Sequence, residues 1–372
     1  MKKENLALVT ALRHELHQYP EPSNNEEWTK ERLMEFLKTH TNLEIADRGK
    51  WFYAVYRAGE EKRNIAFRAD FDAILFHEKP DMPYASKNPG VAHKCGHDGH
   101  SASLAGLALE IDQEGAPYNV FFLFQHAEET GDGAAEAAVF VKENDIHEIF
   151  AYHNMSGWPE KAVVVKNDTL MFASRGMVIH MEGTPTHASQ PEFGKNPAHA
   201  IAQVINAIPA FTRPEDHKGL VLCTIIQLDV GERAFGVAAS KGDLLLTIRA
   251  EFEEELDLLQ QKLENLAMEK AKVDGIDVTF EYHDVFPVTS NHKESSDKIR
   301  QVCRAKGFQL VEMEQGMRGS EDFGHYLKET KGAMCYIGNG EDYPQVHTNE
   351  YDFPDSITET AVELFKGLVA LG

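Results

Sequence analysis

The chain has 372 residues and a net charge of −23, from 37 Lys and Arg against 60 Asp and Glu. Such a charge repels phosphate backbones and anionic membrane surfaces, which argues against nucleic-acid binding and membrane-surface binding. With 42% hydrophobic and 26% charged residues, the composition is typical of a globular protein, and the length predicts about two domains.

The N-terminus has no apolar core of signal-peptide length, and no stretch approaches the roughly 20 apolar residues that span a bilayer. The cysteines are widely scattered, which argues against a disulfide framework and for a reducing compartment. We therefore expect a cytoplasmic protein whose partners include neither nucleic acid nor a membrane.

Short apolar runs alternate with helical patterns in the first half of the chain. Two amphipathic helices are predicted in the first 40 residues. The predicted strands that follow are 52–56, 65–67, 120–124 and 149–152, with helices at 101–111 and 134–141. This alternation predicts an α/β fold with a mainly parallel sheet and helices on both faces.

The pattern changes at about residue 174 to the order β-α-β-β-α-β, a split βαβ or ferredoxin-like arrangement. Its predicted strands are 176–181, 220–228, 243–249 and 277–282, with helices at 196–211 and 253–272. The α/β pattern then resumes with helices at 295–305 and 322–328, a strand at 334–337 and a closing helix from 356. We predict a main domain at 1–173 and 286–372, with an α+β domain inserted at 174–285.

Polar side chains follow the predicted strands of the main domain. They are Asp70, Asp72, Glu128, Glu129 and His153. The segment His93–His100 (HKCGHDGH) lies between the second and third of these strands and opens a helix. Because ligands bind at the carboxyl ends of strands in open α/β sheets, we expect these groups to converge on one crevice.

Taken singly, a histidine at a strand end is more often a hydrogen-bonded surface residue than a metal ligand. An isolated Glu-Glu pair is more often part of a solvated surface. Together, Cys95, His97, Glu129 and His153 offer one thiolate, two imidazoles and one carboxylate. This mixed donor set fits Zn²⁺ and tolerates Mn²⁺ or Co²⁺, whereas Mg²⁺ and Ca²⁺ sites do not use thiolates. His347, in a polar segment after the last predicted strand, is a candidate fifth ligand or a surface-loop histidine.

Glu128 and Glu129 are adjacent, so in extended backbone they are expected to point to opposite sides. One would then bind metal and the other would face the substrate water. Glu128 is the candidate general base, taking a proton from metal-activated water and passing it to the leaving nitrogen.

Five segments resemble the aminoacylase/carboxypeptidase-type metallopeptidase family. Within it the chain is similar to the branch of hippurate hydrolases, indole-acetyl-amino-acid hydrolases and N-acetyl-diaminopimelate deacetylases. The segments are Phe67–Ala73, His93–His100, Gln125–Glu129, Gly183–Ala188 and Gly319–Phe323.

The resemblance implies a dinuclear site that takes Zn²⁺ or Mn²⁺, with Co²⁺ or Ni²⁺ as alternatives. It implies the ligands Cys95, His97, Glu129, His153 and His347. It further implies that Glu128 is the general base, that Asp70 orients the ligands, and that His187 of the inserted domain helps polarise the scissile carbonyl. The inserted domain would act as a lid and as the surface of a homodimer.

Two features bear on substrate recognition. Gly236 stands where relatives carry a substrate-contacting Asn, so the acyl or carboxylate pocket is expected to be reshaped. Arg249 matches a lid arginine and is a candidate clamp for a substrate carboxylate, with a surface salt bridge as the alternative.

The leading hypothesis is a metal-dependent amidohydrolase that cleaves the amide bond of small N-acyl amino acids. A dipeptidase or carboxypeptidase would use the same site. A third alternative, suggested by Gly236 alone, is an inactive metal-binding homologue.

Overall fold

The computed structural model describes residues 1–79 and 82–372. In chain order the strands are β1 (Glu44–Asp47), β2 (Phe52–Tyr56), β3 (Asn64–Asp70), β4 (Ile74–Leu75), β5 (Val91–Ala92), β6 (Asn119–Gln125), β7 (Glu148–Ser156), β8 (Val163–Val165), β9 (Asp168–Met171), β10 (Ala173–Glu182), β11 (Val221–Val230), β12 (Lys241–Ala250), β13 (Asp277–Phe286), β14 (Thr289–Asn291), β15 (Leu310–Glu312) and β16 (Lys331–Gly340). The α-helices are α1 (Lys3–Gln18), α2 (Glu27–His40), α3 (His97–Glu114), α4 (Gly133–Ala137), α5 (Val139–Glu143), α6 (Ala198–Phe211), α7 (Glu253–Asp274), α8 (Lys293–Lys306), α9 (Gly324–Leu327) and α10 (Thr358–Leu371). None of the described helices combines the length and the apolar composition that a membrane crossing requires.

The chain divides into two compact units. The first comprises Met1–Leu170, Thr289–Gly316 and Glu321–Gly372, and the second comprises Met171–Val288 and Met317–Ser320. The principal divisions lie within three residues of those expected from the sequence. The short segment at 317–320 differs, because Met317 pairs with Met171 of the second unit, a contact between residues far apart in sequence.

The first unit is built on an eight-stranded sheet in the order β1-β2-β6-β3-β7-β16-β8-β15. Its four central strands, β6, β3, β7 and β16, run parallel, as the sequence predicts. The register pairs Asp70 with Gln125, so β3 and β6 end side by side. Carboxyl ends of neighbouring strands therefore meet at one edge of the sheet.

Helices cover both faces of this sheet, as expected. On one face Phe122 and Phe124 join the core that includes α1, α3 and α10. On the other face Phe121 contacts Phe140 of α5, with ring centroids 5.8 Å apart. The central strands are apolar at consecutive positions because both of their faces are buried.

The second unit is a four-stranded antiparallel sheet in the order β11-β12-β10-β13. With α6 and α7, its chain order is the predicted β-α-β-β-α-β. Its own core contains Leu244, Leu246 and Ile248 of β12, together with Leu256 and Leu263 of α7.

Local differences from the sequence prediction have identifiable causes. Helix α3 begins at His97, four residues before the predicted start. Gly96 precedes it at φ 103°, which lets the backbone turn directly into the helix. The predicted helix at 134–141 is two short helices, α4 and α5. Strands β8 and β15 are three residues each and too short for a periodic signal.

Candidate metal centre

The segment between β5 and α3 brings Cys95 and His97 to the carboxyl edge of the sheet. A side chain at Gly96 would lie 2.3 Å from Oδ1 of Asn154 and 2.5 Å from the Tyr351 hydroxyl. Only glycine therefore fits between the two donors, and its left-handed backbone turns both towards the same space.

Cys95, His97 and His153 form a first group of potential ligands, with donor atoms within 4.8 Å of one another. Sγ of Cys95 lies 3.3 Å from Nε2 of His153. Nδ1 of His153 donates to the backbone oxygen of Asn154 at 2.6 Å, which leaves Nε2 as the lone-pair nitrogen. The group offers one sulfur and two nitrogen donors.

Cys95 also belongs to a second group with Glu129 and His347. Oε1 of Glu129 lies 3.2 Å from Nε2 of His347. The His347 backbone has φ 61° and donates its N–H to the oxygen of Lys94 at 2.6 Å, which ties this polar loop to the first group's segment. The five predicted ligands are thus gathered in two groups that share Cys95.

Glu128 and Glu129 do not point to opposite sides, so the expectation based on extended backbone is wrong. They lie in a turn after β6, preceded by Ala127 at φ 46°. A carboxylate oxygen of each is 3.9 Å from Nε2 of His97. The turn directs both acids into the same crevice.

Glu128 is surrounded by carboxyl groups as well as by the donors. It lies within 4.8 Å of Glu321 and Asp322, and all three are buried. Burial, reinforced by the charges of Glu321, Asp322 and Glu129, holds the pKa of Glu128 well above its ordinary value. A carboxyl group in this environment readily accepts a proton.

Two aspartates support the histidines from behind. Oδ1 of Asp72 lies 3.0 Å from Nδ1 of His97, and Oδ1 of Asp70 lies 2.7 Å from Nδ1 of His100. Asp70 is 3.9 Å from His97 and also pairs with Arg68 at 2.6 Å. The carboxylate that contacts the predicted ligand His97 at hydrogen-bond distance is therefore Asp72, whereas Asp70 contacts His100.

The donor set fits a divalent cation. Because the Asp72 carboxylate only accepts, Nδ1 of His97 carries a proton, and Nε2 is the ring nitrogen whose lone pair a metal ion would use. Among the described residues, Nε2 of His97 is buried without a hydrogen-bond partner, and the buried Oε1 of Glu129 has Nε2 of His347 beside it at 3.2 Å. Buried acceptors of this kind require a cation or a donor to offset their desolvation.

His187 and Arg249 belong to the second unit and are described within it. Nδ1 of His187 accepts the backbone N–H of Ser189 at 3.2 Å, and the side chain is exposed. Arg249 donates to the backbone oxygen of Arg318 at 3.0 Å and to Oγ of Ser320 at 2.7 Å.

Gly236 has no atom within 4 Å of the position of an added Cβ. Crowding in the second unit therefore does not explain the absence of a side chain at this position.

Several residues of the site were not assigned a role from the sequence. His100, Asn154 and Tyr351 form a buried chain, with His100 Nε2 2.7 Å from Oδ1 of Asn154, whose amide donates to the Tyr351 hydroxyl at 2.6 Å. Arg68 pairs with Asp322 at 2.7 Å. Arg68 could have been identified from the sequence, because it is a charged residue within an apolar strand. No local sequence pattern identifies Asn154 or Tyr351.

A mainly parallel α/β sheet whose strand ends gather thiol, imidazole and carboxyl groups around a buried glutamate is typical of a metal-binding hydrolase. The family model for peptidase family M20/M25/M40 matches residues 66–371. The chain belongs to this family.

Relatives and solved structures agree with this assignment. The hippurate hydrolase of Campylobacter jejuni is 28% identical over 364 residues, covering 96% of this chain and 94% of the relative. The N-acetyldiaminopimelate deacetylase of Bacillus velezensis is 28% identical over 394 residues, covering 99% and 98%. The YxeP protein of Bacillus subtilis, described as a dinuclear metal-binding peptidase, superposes with a TM-score of 0.85 at 24% identity, covering 100% of this chain and 99% of that one. The chain is therefore an enzyme that hydrolyses amide bonds.

Proposed function

We propose that the protein is a metal-dependent amidohydrolase that releases the acyl group from small N-acyl amino acids. The observation that carries the proposal is the position of Glu128. Its side chain is buried, with Oε2 3.9 Å from Nε2 of His97, and it lies beside two groups of candidate ligands that share Cys95. Hippurate and the acetylated amino acids that name the relatives are substrates of this class.

Cys95, His97 and His153 would hold one ion, and Cys95, Glu129 and His347 would hold the other. We infer Zn²⁺ or Mn²⁺, because a mixed set of sulfur, nitrogen and oxygen donors fits Zn²⁺ and tolerates Mn²⁺. When bound, the ions supply positive charge that polarises a carbonyl oxygen and acidifies water.

Glu128 would move the proton. Its carboxylate takes a proton from the water that attacks the carbonyl carbon, and returns it to the amide nitrogen as the C–N bond breaks. The products are a carboxylic acid and a free amine, so one water is consumed per turnover. Asp70 would keep the site in shape by holding His100 and Arg68 rather than by touching substrate.

The second unit would contribute recognition. Because Nδ1 of His187 accepts the Ser189 N–H, Nε2 is the ring nitrogen that carries a proton and can donate it to a carbonyl oxygen. Arg249 has a guanidinium suited to bidentate binding of the substrate carboxylate, and Ser320 fixes its position.

A homodimer through the second unit is part of the proposal. Strand β11 is at the edge of the four-stranded sheet and exposes Ile225, Ile226 and Leu228. A long apolar edge strand is a surface that proteins normally cover, and pairing with the same strand of a second copy would do so. The expected cytoplasmic location stays a prediction from the sequence.

Replacing Glu128 with Gln tests the assigned base. The variant should retain the metal of the wild type but lose roughly 10²- to 10⁴-fold in kcat, because the amide cannot take up the proton. Glu129→Gln is the matched variant, which should lose metal. Amine release from hippurate and from acetyl-amino acids, measured with metal content by mass spectrometry, separates the two. Wild-type rates in Glu128→Gln would refute the assignment.

The same assay with dipeptides decides between an amidohydrolase and a dipeptidase or carboxypeptidase. Faster cleavage of dipeptides than of acyl-amino acids would replace the proposed substrate class. No turnover of acyl-amino acids at full metal occupancy would refute the proposed substrate class.

A further inference from the structure

The turn that presents Glu128 and Glu129 is conformationally unfavourable. Ala127 has φ 46°, in the left-handed region that residues with a β-carbon rarely adopt. Such a residue costs about 1 kcal/mol or more, so surrounding structure must hold it. The turn also closes tightly on Gly133, whose N–H donates to the oxygen of Ala127 at 3.0 Å and whose added Cβ would lie 1.7 Å from the oxygen of His126.

Two buried carboxylates from distant parts of the chain hold this turn. Oε1 of Glu26 accepts the backbone N–H of Ala127 at 2.7 Å, and Oδ2 of Asp72 accepts the backbone N–H of Glu129 at 3.0 Å. Glu26 is 6% exposed and Asp72 is 1% exposed. The amides on either side of Glu128 are thus each anchored by a carboxylate.

Asp72 has a second task in the same place. Its other oxygen, Oδ1, lies 3.0 Å from Nδ1 of His97, and the Ser23 hydroxyl donates to Oδ2 at 2.7 Å. One carboxylate therefore links the backbone of Glu129 to the ring of His97. The relative position of these two predicted ligands depends on it.

Glu26 is not used for what its place in the chain suggests. It occupies the position immediately before α2, where a polar side chain can accept a hydrogen bond from the first N–H groups of the helix, but its side chain makes no such bond. In the part of the chain that the structure describes, it also has no ion-pair partner. Burial, together with the charge of Asp72, raises the pKa of Glu26 to about 7. Retaining a buried carboxyl group without a cationic partner costs stability, which is typical of a residue kept for function.

We propose that Glu26 and Asp72 form a carboxylate clamp that positions Glu128 and Glu129, with Glu26 as a positioning residue remote from the reacting atoms. The inference rests on the proposed function for the roles of Glu128 and Glu129. The clamp itself is a property of the backbone around them.

The test compares Glu26→Ala with Glu26→Gln, and uses Glu27→Ala as the control because Glu27 is the exposed next residue. Glu26→Ala should lower kcat roughly 10- to 100-fold with little change in KM, because a displacement of about 1 Å at the reacting groups has effects of that size. Glu26→Gln keeps an acceptor oxygen and should recover most of kcat. Glu27→Ala should behave as wild type.

Amide hydrogen exchange supplies a readout that does not depend on turnover or on metal. The Ala127 amide should exchange at least about tenfold faster in Glu26→Ala than in Glu26→Gln, because only the alanine variant leaves it without an acceptor. Unchanged kcat and unchanged protection in Glu26→Ala would overturn the clamp while the proposed function stands. An inactive wild type would refute the proposed function, and the exchange rates would still decide about the clamp.

Asp72→Asn keeps the test decisive if Glu26→Ala does not fold. An asparagine has one acceptor oxygen and cannot serve both His97 and the Glu129 amide. It should weaken Mn²⁺ binding roughly 10- to 100-fold or deprotect the Glu129 amide. Retention of both properties would overturn the clamp.

Discussion

Replacing His17 with glutamine is expected to destabilise the first unit strongly at pH 6.5 and much less above pH 9. His17 is buried, with Nδ1 2.8 Å from Oδ2 of Asp98 and Nε2 3.0 Å from Oε1 of Glu78. Both ring nitrogens therefore face carboxylates, an arrangement that requires the doubly protonated imidazolium. Glutamine cannot supply that charge.

The magnitude follows from the pKa of His17. Burial by itself lowers this pKa, but the hydrogen bonds to Asp98 and Glu78 outweigh burial and raise it from 6.5 to about 9. A raised pKa means that the folded chain holds the proton more tightly than the unfolded chain. The stabilisation is therefore complete below pH 6.5 and is lost as the pH rises through 9. At about 1.4 kcal/mol per pH unit, the difference between 9 and 6.5 corresponds to about 3 kcal/mol.

The low pKa of Glu78, about 2, reflects the same interaction. Burial raises it, and the bonds from His17 and Lys94 more than reverse that effect. The low pKa of Glu78 and the high pKa of His17 both contain the free energy of the Glu78–His17 ion pair. The shift of Glu78 is therefore not added to the value of about 3 kcal/mol obtained from His17. A single ion pair accounts for part of both pKa values.

Equilibrium urea unfolding of wild type and His17→Gln between pH 6.5 and 9.5 provides the measurement. Tryptophan fluorescence reports the correct unit, because Trp28, Trp51 and Trp158 all belong to the first unit. His40→Gln is the control, since His40 is exposed. The difference in unfolding free energy between wild type and His17→Gln should shrink by about 3 kcal/mol over this range. A difference that stays constant would show that His17 holds no extra proton.

Two further predictions concern the core of the site and the proposed dimer. Arg68→Met should lower the unfolding free energy by about 3–5 kcal/mol in the same urea assay, because it removes the cation that contacts three buried carboxyl groups. No loss of stability would show that Arg68 does not balance these charges. Ile226→Lys, on the exposed edge strand β11, should convert a dimer into a monomer in light scattering, whereas Val273→Lys on α7 should not. A wild type that is monomeric at micromolar concentration would contradict the proposed interface.

The alternation of strands and helices was predictable because burial leaves a periodic trace. A strand buried on both faces is a continuous apolar run, as in Val120–Phe124, and a helix repeats its apolar residues every three or four positions. The predicted strands and helices occur in the structure in the predicted order, although the helix predicted at 134–141 is divided into two. Strands of three residues, such as Val163–Val165, carry no such trace, and tertiary pairing alone defines them.

The candidate metal ligands were also predictable from the sequence, because the ability of a side chain to bind metal depends on its residue type. A thiol and two imidazoles beside strand ends predicted the grouping of Cys95, His97 and His153 that the structure contains. The direction in which the side chains of Glu128 and Glu129 point was not predictable from the sequence. It depends on a left-handed Ala127, and nothing in the local sequence favours that conformation.

Residue chemistry and strand periodicity thus predicted which groups are candidate metal ligands and where along the sheet they lie. Tertiary structure alone decided which carboxylate supports which group. Asp72 rather than Asp70 contacts His97, and Glu26 reaches Ala127 across 101 residues of sequence. Hydrogen bonds act over about 3 Å in space and are indifferent to separation along the chain, so only the folded chain determines these partners.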